Sequence, residues 1–204
     1  MTTNTNVDDR LAEVVTAFCN LCYRAHYTWR MHKAVFDDNP SKGEMKKSVA
    51  GMALEHFNEI SIESFLHQIA KLHDPALRNE NKKNGEKNLG IKYMIRFGGW
   101  DKATEEKLLA LENRLNQLAV KILPARNKLL SHNDREAILS GKVLGEFDLG
   151  EDDKYFTALQ EFVNVITMSL VQEPWPFDEV ANKNAEGLRW FFREEACKNQ
   201  PIII

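Results

Sequence analysis

The residues with the most chemical reach in this chain lie in one stretch, Pro124-Ala125-Arg126-Asn127-Lys128-Leu129-Leu130-Ser131-His132-Asn133-Asp134. Polar and charged groups there surround Leu129 and Leu130, which would anchor the segment to a core. A histidine titrates close to neutrality, so His132 can take the proton of a ribose 2′-hydroxyl at neutral pH. An arginine fork can hold a phosphate and neutralise the charge that grows on it in the transition state, which is work for Arg126. Asn127 can orient an oxygen or cap a backbone group. Six residues of straight helix turn about 600°, which leaves Arg126 and His132 about 120° apart, not on one line but able to flank the same groove. The set suits cleavage of an RNA phosphodiester without a metal. A second reading of the same residues is a plain helix end, in which Asp134 and Arg135 pair with neighbours and His132 caps carbonyls.

Other candidates are weaker. Cys19-x-x-Cys22 has half the form of a zinc or redox site, but no second pair stands at ligand spacing and Cys197 is remote. Both cysteines fall on or beside an apolar stripe, as small core hydrophobes do. No two histidines have the i, i+4 placement of a helical metal site, and neither metal nor cofactor is expected. Glycine-rich phosphate loops and a Gly-x-Ser-x-Gly elbow are absent from the sequence. Trp175, between Pro174 and Pro176, is expected to be a packing plug.

Composition sets the frame for these groups. The 204 residues are 43% hydrophobic and 28% charged, the balance of a globular domain rather than a disordered or fibrous chain. No apolar run approaches the roughly 20 residues of a membrane span. The polar start, Met1 to Arg10, reads as neither a secretory nor a transit signal, so a cytoplasmic location is expected. An odd cysteine count argues against a disulfide scaffold. The net charge of −3 argues against an overall basic coat. Charge is uneven, however. Between Arg114 and Lys142, Arg114, Lys121, Arg126, Lys128, Arg135 and Lys142 face only Asp134 and Glu136, whereas acidic residues predominate from Val143 to Glu195. The middle of the chain is the expected face for an anion.

The elements that must position the motif are helical. Leu11, Val14, Val15, Phe18, Leu21, Cys22, Ala25, Trp29, His32 and Phe36 recur every three or four residues, which predicts one helix from about Asp8 to Phe36. Asp37-Asp38-Asn39-Pro40 breaks it. Ser41-Lys42-Gly43-Glu44 has capping-box spacing and should open a second long helix reaching His73, with Met45, Val49, Met52, Phe57, Ile60, Phe65, Ile69 and Leu72 on its apolar face. The two should form an antiparallel hairpin. Residues 76–87 read as a solvated loop. Asn88 is placed to cap a short helix, Leu89 to Phe97, ended by Gly98-Gly99. Thr104 to Leu123 predicts a third long helix with Leu108, Leu111, Leu115, Leu118 and Ile122 inward, and Pro124 kinks or restarts it before Ala125 to Asp134. Val143 to Phe147 suggests a short extended piece. A fourth long helix, Asp152 to Gln172, and an amphipathic segment, Asp178 to Cys197, complete an all-α bundle of four main helices with short extras. The expected division is a bundle over 1–172 and a helical extension over 173–204 packed on the same domain.

Arg126-Asn127-Lys128-Leu129-Leu130-Ser131-His132 resembles the signature of HEPN domains: Arg, a polar residue, then His after several positions. The wider pattern is similar to their AbiU-type branch, from bacterial abortive-infection systems, in which Ser-His or Ala-His precedes a nearby Asp, here Ser131-His132-Asn133-Asp134. Trp29-Arg30-Met31 with Val35-Phe36 resembles the branch's first helix. Ile69-Ala70-Lys71-Leu72-His73-Asp74-Pro75 resembles the end of its second helix, and Lys87-Asn88-Leu89-Gly90-Ile91 the short helix that follows. These matches, in the correct order, run from about Phe18 to Gln172.

The resemblance implies an all-α HEPN-like bundle that dimerises around its Arg–His helices. It implies a metal-independent endoribonuclease that leaves a 2′,3′-cyclic phosphate and serves as a toxin or in phage defence. Arg126 and His132 carry over as the catalytic pair. Asn127, Lys128, Ser131 and Asp134 carry over as supporting or RNA-binding residues. Some members keep the fold but act only as RNA-binding or protein-interaction modules, so a non-catalytic module is the alternative. RNA and a second copy of the chain are the expected partners, with an antitoxin or other neighbouring-gene protein as a further kind, and no membrane. Chemistry also favours a dimer. Cleavage wants one proton-transfer group for the attacking oxygen and one for the leaving oxygen, and the motif holds a single histidine. A two-fold axis beside His132 would supply the second.

Overall fold

The computed structural model describes residues 5–40, 42–78, 86–120, 122–123 and 150–198. Its described elements are α1 (Thr5–His32), a π-helical turn (Lys33–Asp37), α2 (Lys42–Lys47), α3 (Gly51–Leu72), β1 (Leu77–Arg78), β2 (Glu86–Lys87), α4 (Ile91–Phe97), α5 (Lys102–Ala119), α6 (Glu151–Leu170) and α7 (Phe177–Lys198). The all-α expectation holds, apart from the two-residue antiparallel ladder of β1 and β2. No helix among the described residues is long and apolar enough to cross a membrane. The chain forms two compact units, residues 1–22 with 66–176, and residues 23–65 with 177–204.

In the first unit α5 and α6 pack antiparallel, joined on their outer sides by Arg114 to Glu161 at 3.0 Å and by Thr104 facing Ser169 at 3.5 Å. Leu108, Leu115 and Ile122 are fully buried, as the periodicity predicts, and meet a core that includes Leu159, Phe162 and Ile166. Phe18 of α1 packs edge-on against Phe162 at 5.8 Å. Asp101 starts α5 by accepting from the Thr104 backbone N–H at 3.0 Å and from its hydroxyl at 2.8 Å, which satisfies a donor the first turn would leave orphaned. Gly150 opens α6 at φ +78°, a left-handed conformation that glycine adopts without a Cβ clash.

The short helix differs from its expected form. Asn88 does not cap it. Its side chain donates to the Pro75 carbonyl at 2.9 Å, and its backbone N–H donates to the Ala76 carbonyl. Gly90 is the residue before α4, and a Cβ there would lie 2.8 Å from the Leu72 carbonyl oxygen, so glycine lets α4 start directly against the end of α3. At the other end of α4 the Trp100 indole N–H donates to the Met94 carbonyl at 2.7 Å.

In the second unit α1 and α3 run antiparallel: Trp29 stacks on Phe65 at 4.5 Å and His32 bonds Ser61 one turn on. The end of α1 widens into a π turn, closed by the Asp38 N–H to the Lys33 carbonyl at 2.7 Å, five residues back. α7 packs along this turn, with Phe177 edge-on to His26 at 5.6 Å and Arg189 on Asp38 at 3.3 Å. The second long helix is broken, contrary to expectation. Ser48 turns its hydroxyl back onto the Met45 carbonyl at 2.6 Å and ends α2, and α3 restarts at Gly51. Its expected apolar face is buried only in its second half. Phe65, Ile69 and Leu72 are core residues, whereas Val49 is 96%, Met52 85% and Phe57 60% exposed.

Candidate functional site

Arg126, Asn127, Lys128, Ser131, His132 and Asp134 all lie outside the described residues, as do the helical continuation expected from Ala125 to Asp134 and the extended piece from Val143 to Phe147. Their frame is described. The chain leaves α5 through the buried Ile122, and it returns through Gly150 into α6. Because α5 and α6 are antiparallel, these two points lie at the same end of the helix pair.

A polar chain that sequence reading does not reveal holds that end together. His73, just past α3, places Nδ1 2.9 Å from Asn116 Oδ1 on α5 and Nε2 2.9 Å from the Tyr155 hydroxyl on α6. The amide oxygen can only accept, so Nδ1 carries the proton and Nε2 accepts from Tyr155. The ring is thereby set as a neutral tautomer. Burial lowers the pKa of His73, with the hydrogen bond to Asn116 opposing and the nearby Lys92 charge adding to the shift. Burial also pushes the fully enclosed Tyr155 phenol well up. Both groups stay neutral near pH 7, so the chain positions three elements rather than supplying protons.

The cysteines match their expected role. Cys19 and Cys22 are fully buried, and burial pushes Cys19 up to about 12 and Cys22 well above its ordinary value. They remain protonated thiols in a core, unable to act as thiolate ligands or nucleophiles. Among the described residues no group of three His, Cys, Asp or Glu side chains could hold a metal. Trp175 is not the buried plug expected, being 37% exposed. It is the backbone that is held, by Gln160 Nε2 donating to its carbonyl at 2.6 Å and by its N–H donating to Asn164 Oδ1 at 3.3 Å.

The second unit contains an Asp–His–Ser arrangement. His32 is buried, with Nδ1 2.8 Å from Ser61 Oγ and Nε2 3.6 Å from Asp37 Oδ2, beside an apolar cavity of about 450 Å3 walled by Met31, Phe36, Phe57 and Leu188. It lacks the parts of a hydrolase. Ser61 sits inside α3, where backbone N–H groups are spent on the helix and cannot stabilise an oxyanion. The Asn58 carbonyl, 2.8 Å from Ser61 Oγ, competes for the single hydroxyl proton. The arrangement ties the π turn to α3.

Comparison with known proteins bears on the whole chain. No curated protein and no solved structure matches it. One family does: the HEPN family described as AbiU2, whose model matches residues 8–190, from the first turns of α1 into α7 and across the Arg126–His132 motif. That span, together with the helical architecture, shows that the chain belongs to the AbiU2 family of HEPN-fold proteins.

Proposed function

We propose that this protein is a metal-independent endoribonuclease acting as a toxin or in abortive infection, with Arg126 and His132 as its catalytic pair. The observation that carries the reading is the Arg126-to-His132 motif lying inside the matched span 8–190. Supporting it, the motif falls in the basic middle of the sequence, between α5 and α6 in chain order.

The reaction is a transesterification that needs neither water nor an oxidant. His132 removes the 2′-hydroxyl proton, the 2′-oxygen attacks phosphorus, and the bond from phosphorus to the 5′-oxygen breaks. A 2′,3′-cyclic phosphate remains on one fragment. The departing 5′-oxygen takes a proton from the His132 of a second copy, so the protonated and neutral imidazoles exchange roles over one turnover. Arg126 holds the phosphate oxygens through the transition state. Asn127, Lys128, Ser131 and Asp134 support the strand and the pair.

The test compares RNA cleavage by wild type, His132→Ala and Arg126→Ala at matched circular dichroism. Each change should reduce the rate at least 100-fold, the usual scale for loss of a general base or a charge-stabilising donor. Wild-type activity per chain should fall on dilution below the dimer dissociation constant. Cleavage unaffected by either substitution refutes the assignment, and full activity from a monomer refutes the shared site. An intact fold that binds RNA or protein but cleaves nothing would place the chain among the non-catalytic modules.

A further inference from the structure

Residues 76–100 form a second basic segment, in which Arg78, Lys82, Lys83, Lys87, Lys92 and Arg96 face only Glu80 and Glu86. The structure gathers part of it onto one surface of the first unit. Lys87 at the end of β2 and Lys92 and Arg96 on α4 are all exposed, and the last two are four residues apart, on one face of the helix. Aromatic rings stand among them. Phe97 has the Lys87 ammonium 4.6 Å and the Arg96 guanidinium carbon 5.5 Å from its ring centre, and Tyr93 lies 5.0 Å away, tilted.

Two concavities flank α4. One, of about 270 Å3, is walled by Tyr93, Leu89, Val14 and Ala17, with Lys87 and Glu13 also lining it. The other, of about 380 Å3, is lined by Lys92, Arg96, Ile95, Pro75 and Ala76, with the carboxylate of Glu112.

From this juxtaposition we propose that α4 and the end of β2 form a docking face for single-stranded RNA, distinct from the Arg126–His132 motif. Lys87, Lys92 and Arg96 engage successive phosphates, and the hollow beside Tyr93 receives a base. Interleaved cations and rings are what a flexible strand needs: the cations neutralise the backbone, and an aromatic wall with apolar neighbours takes a base of any identity. A duplex keeps its bases stacked inside and cannot use the hollow. Glu13 and Glu112 stand at the two concavities where a phosphate would be repelled. They favour a strand that runs along the cation row with a base, rather than a phosphate, turned into the Tyr93 hollow. The identification of the strand as RNA rests on the nuclease reading.

The test measures binding, so that it can fail separately from that reading. Full-length His132→Ala protein, which cannot turn over its ligand, is titrated against a labelled single-stranded RNA of about 12 nucleotides across a salt series. Adding Lys87→Glu, Lys92→Glu and Arg96→Glu should weaken binding at least tenfold near 0.1 M salt. The log–log salt slope should shrink by about two, since each lost single-strand phosphate contact removes about 0.7. A control carrying Lys47→Glu, Lys102→Glu and Lys183→Glu has the same net charge, alters exposed lysines elsewhere, and should bind as the parent does. The pair Lys92→Glu and Arg96→Glu, which leaves Lys87 on Phe97, should lose an intermediate amount. Equal losses in the two triple variants, an unchanged Kd in the α4 triple, or no RNA binding by the parent would each overturn the proposal. Tight, α4-dependent binding by a wild type that never cleaves would uphold this face and refute the nuclease.

Discussion

His26 is the residue with the largest described consequence of burial among the histidines. It is held edge-on to Phe177 inside the second unit, where burial and the adjacent Arg30 charge lower its pKa to about 4 from 6.5. His73 in the first unit is shifted in the same direction. For a histidine kept neutral in the fold, the unfolded chain binds more protons between the two pKa values. Stability is therefore fully present above about pH 6.5 and is lost as the pH falls toward 4. For His26 the loss is on the order of 3 kcal/mol, by the 1.36 kcal/mol that each pKa unit carries. Urea unfolding at pH 7 and pH 4.5 should show the decline, and His26→Phe should flatten it in part. A pH-independent midpoint would contradict the buried neutral state. At this scale the Arg126–His132 motif stands out in the sequence because its residue types and spacing lie within one short stretch, and it lies outside the described residues. The His73–Asn116–Tyr155 chain does not, because its members come from three elements, 43 and 82 positions apart, and only packing makes them neighbours.

Helices were legible where a 3.6-residue period met a clear stop, as for α1, α5 and α6. The departures have local causes. Ser48 satisfies a carbonyl that the helix would otherwise use, and the long second helix becomes α2 and α3. Asn88 serves the Pro75 carbonyl instead of a helix end. Glycines make the element scale testable. Gly90→Ala drives a methyl to 2.8 Å from a backbone oxygen that has nowhere to go, and it should cost about 1–3 kcal/mol, the range for overpacking. Gly187 lies within α7 with open space at its Cβ position, so Gly187→Ala should stabilise by about 0.5–1 kcal/mol. Thermal or urea unfolding of the two variants should give opposite signs. Equal signs would contradict the close approach of α4 to α3.

Across the whole molecule, periodicity showed which residues share a face but not whether anything covers it. Val49, Met52 and Phe57 fit the apolar stripe that continues into Phe65 and Ile69, yet only the latter are buried. Val49→Ser and Met52→Ser should each change stability by no more than about 0.5 kcal/mol. Leu115→Ala, in the α5–α6 core, should cost about 2–5 kcal/mol. A large loss at Val49 or Met52 would show that the face is covered in solution. The family and the helical architecture establish the fold class, and the proposed function turns on a single chemical event at His132. The most direct measurement is the end chemistry of RNA incubated with purified protein in excess chelator. The predicted result is fragments ending in 2′,3′-cyclic phosphate from wild type and none from His132→Ala. Fragments with free 3′-hydroxyl ends, cleavage abolished by the chelator, or products unchanged by His132→Ala would contradict it.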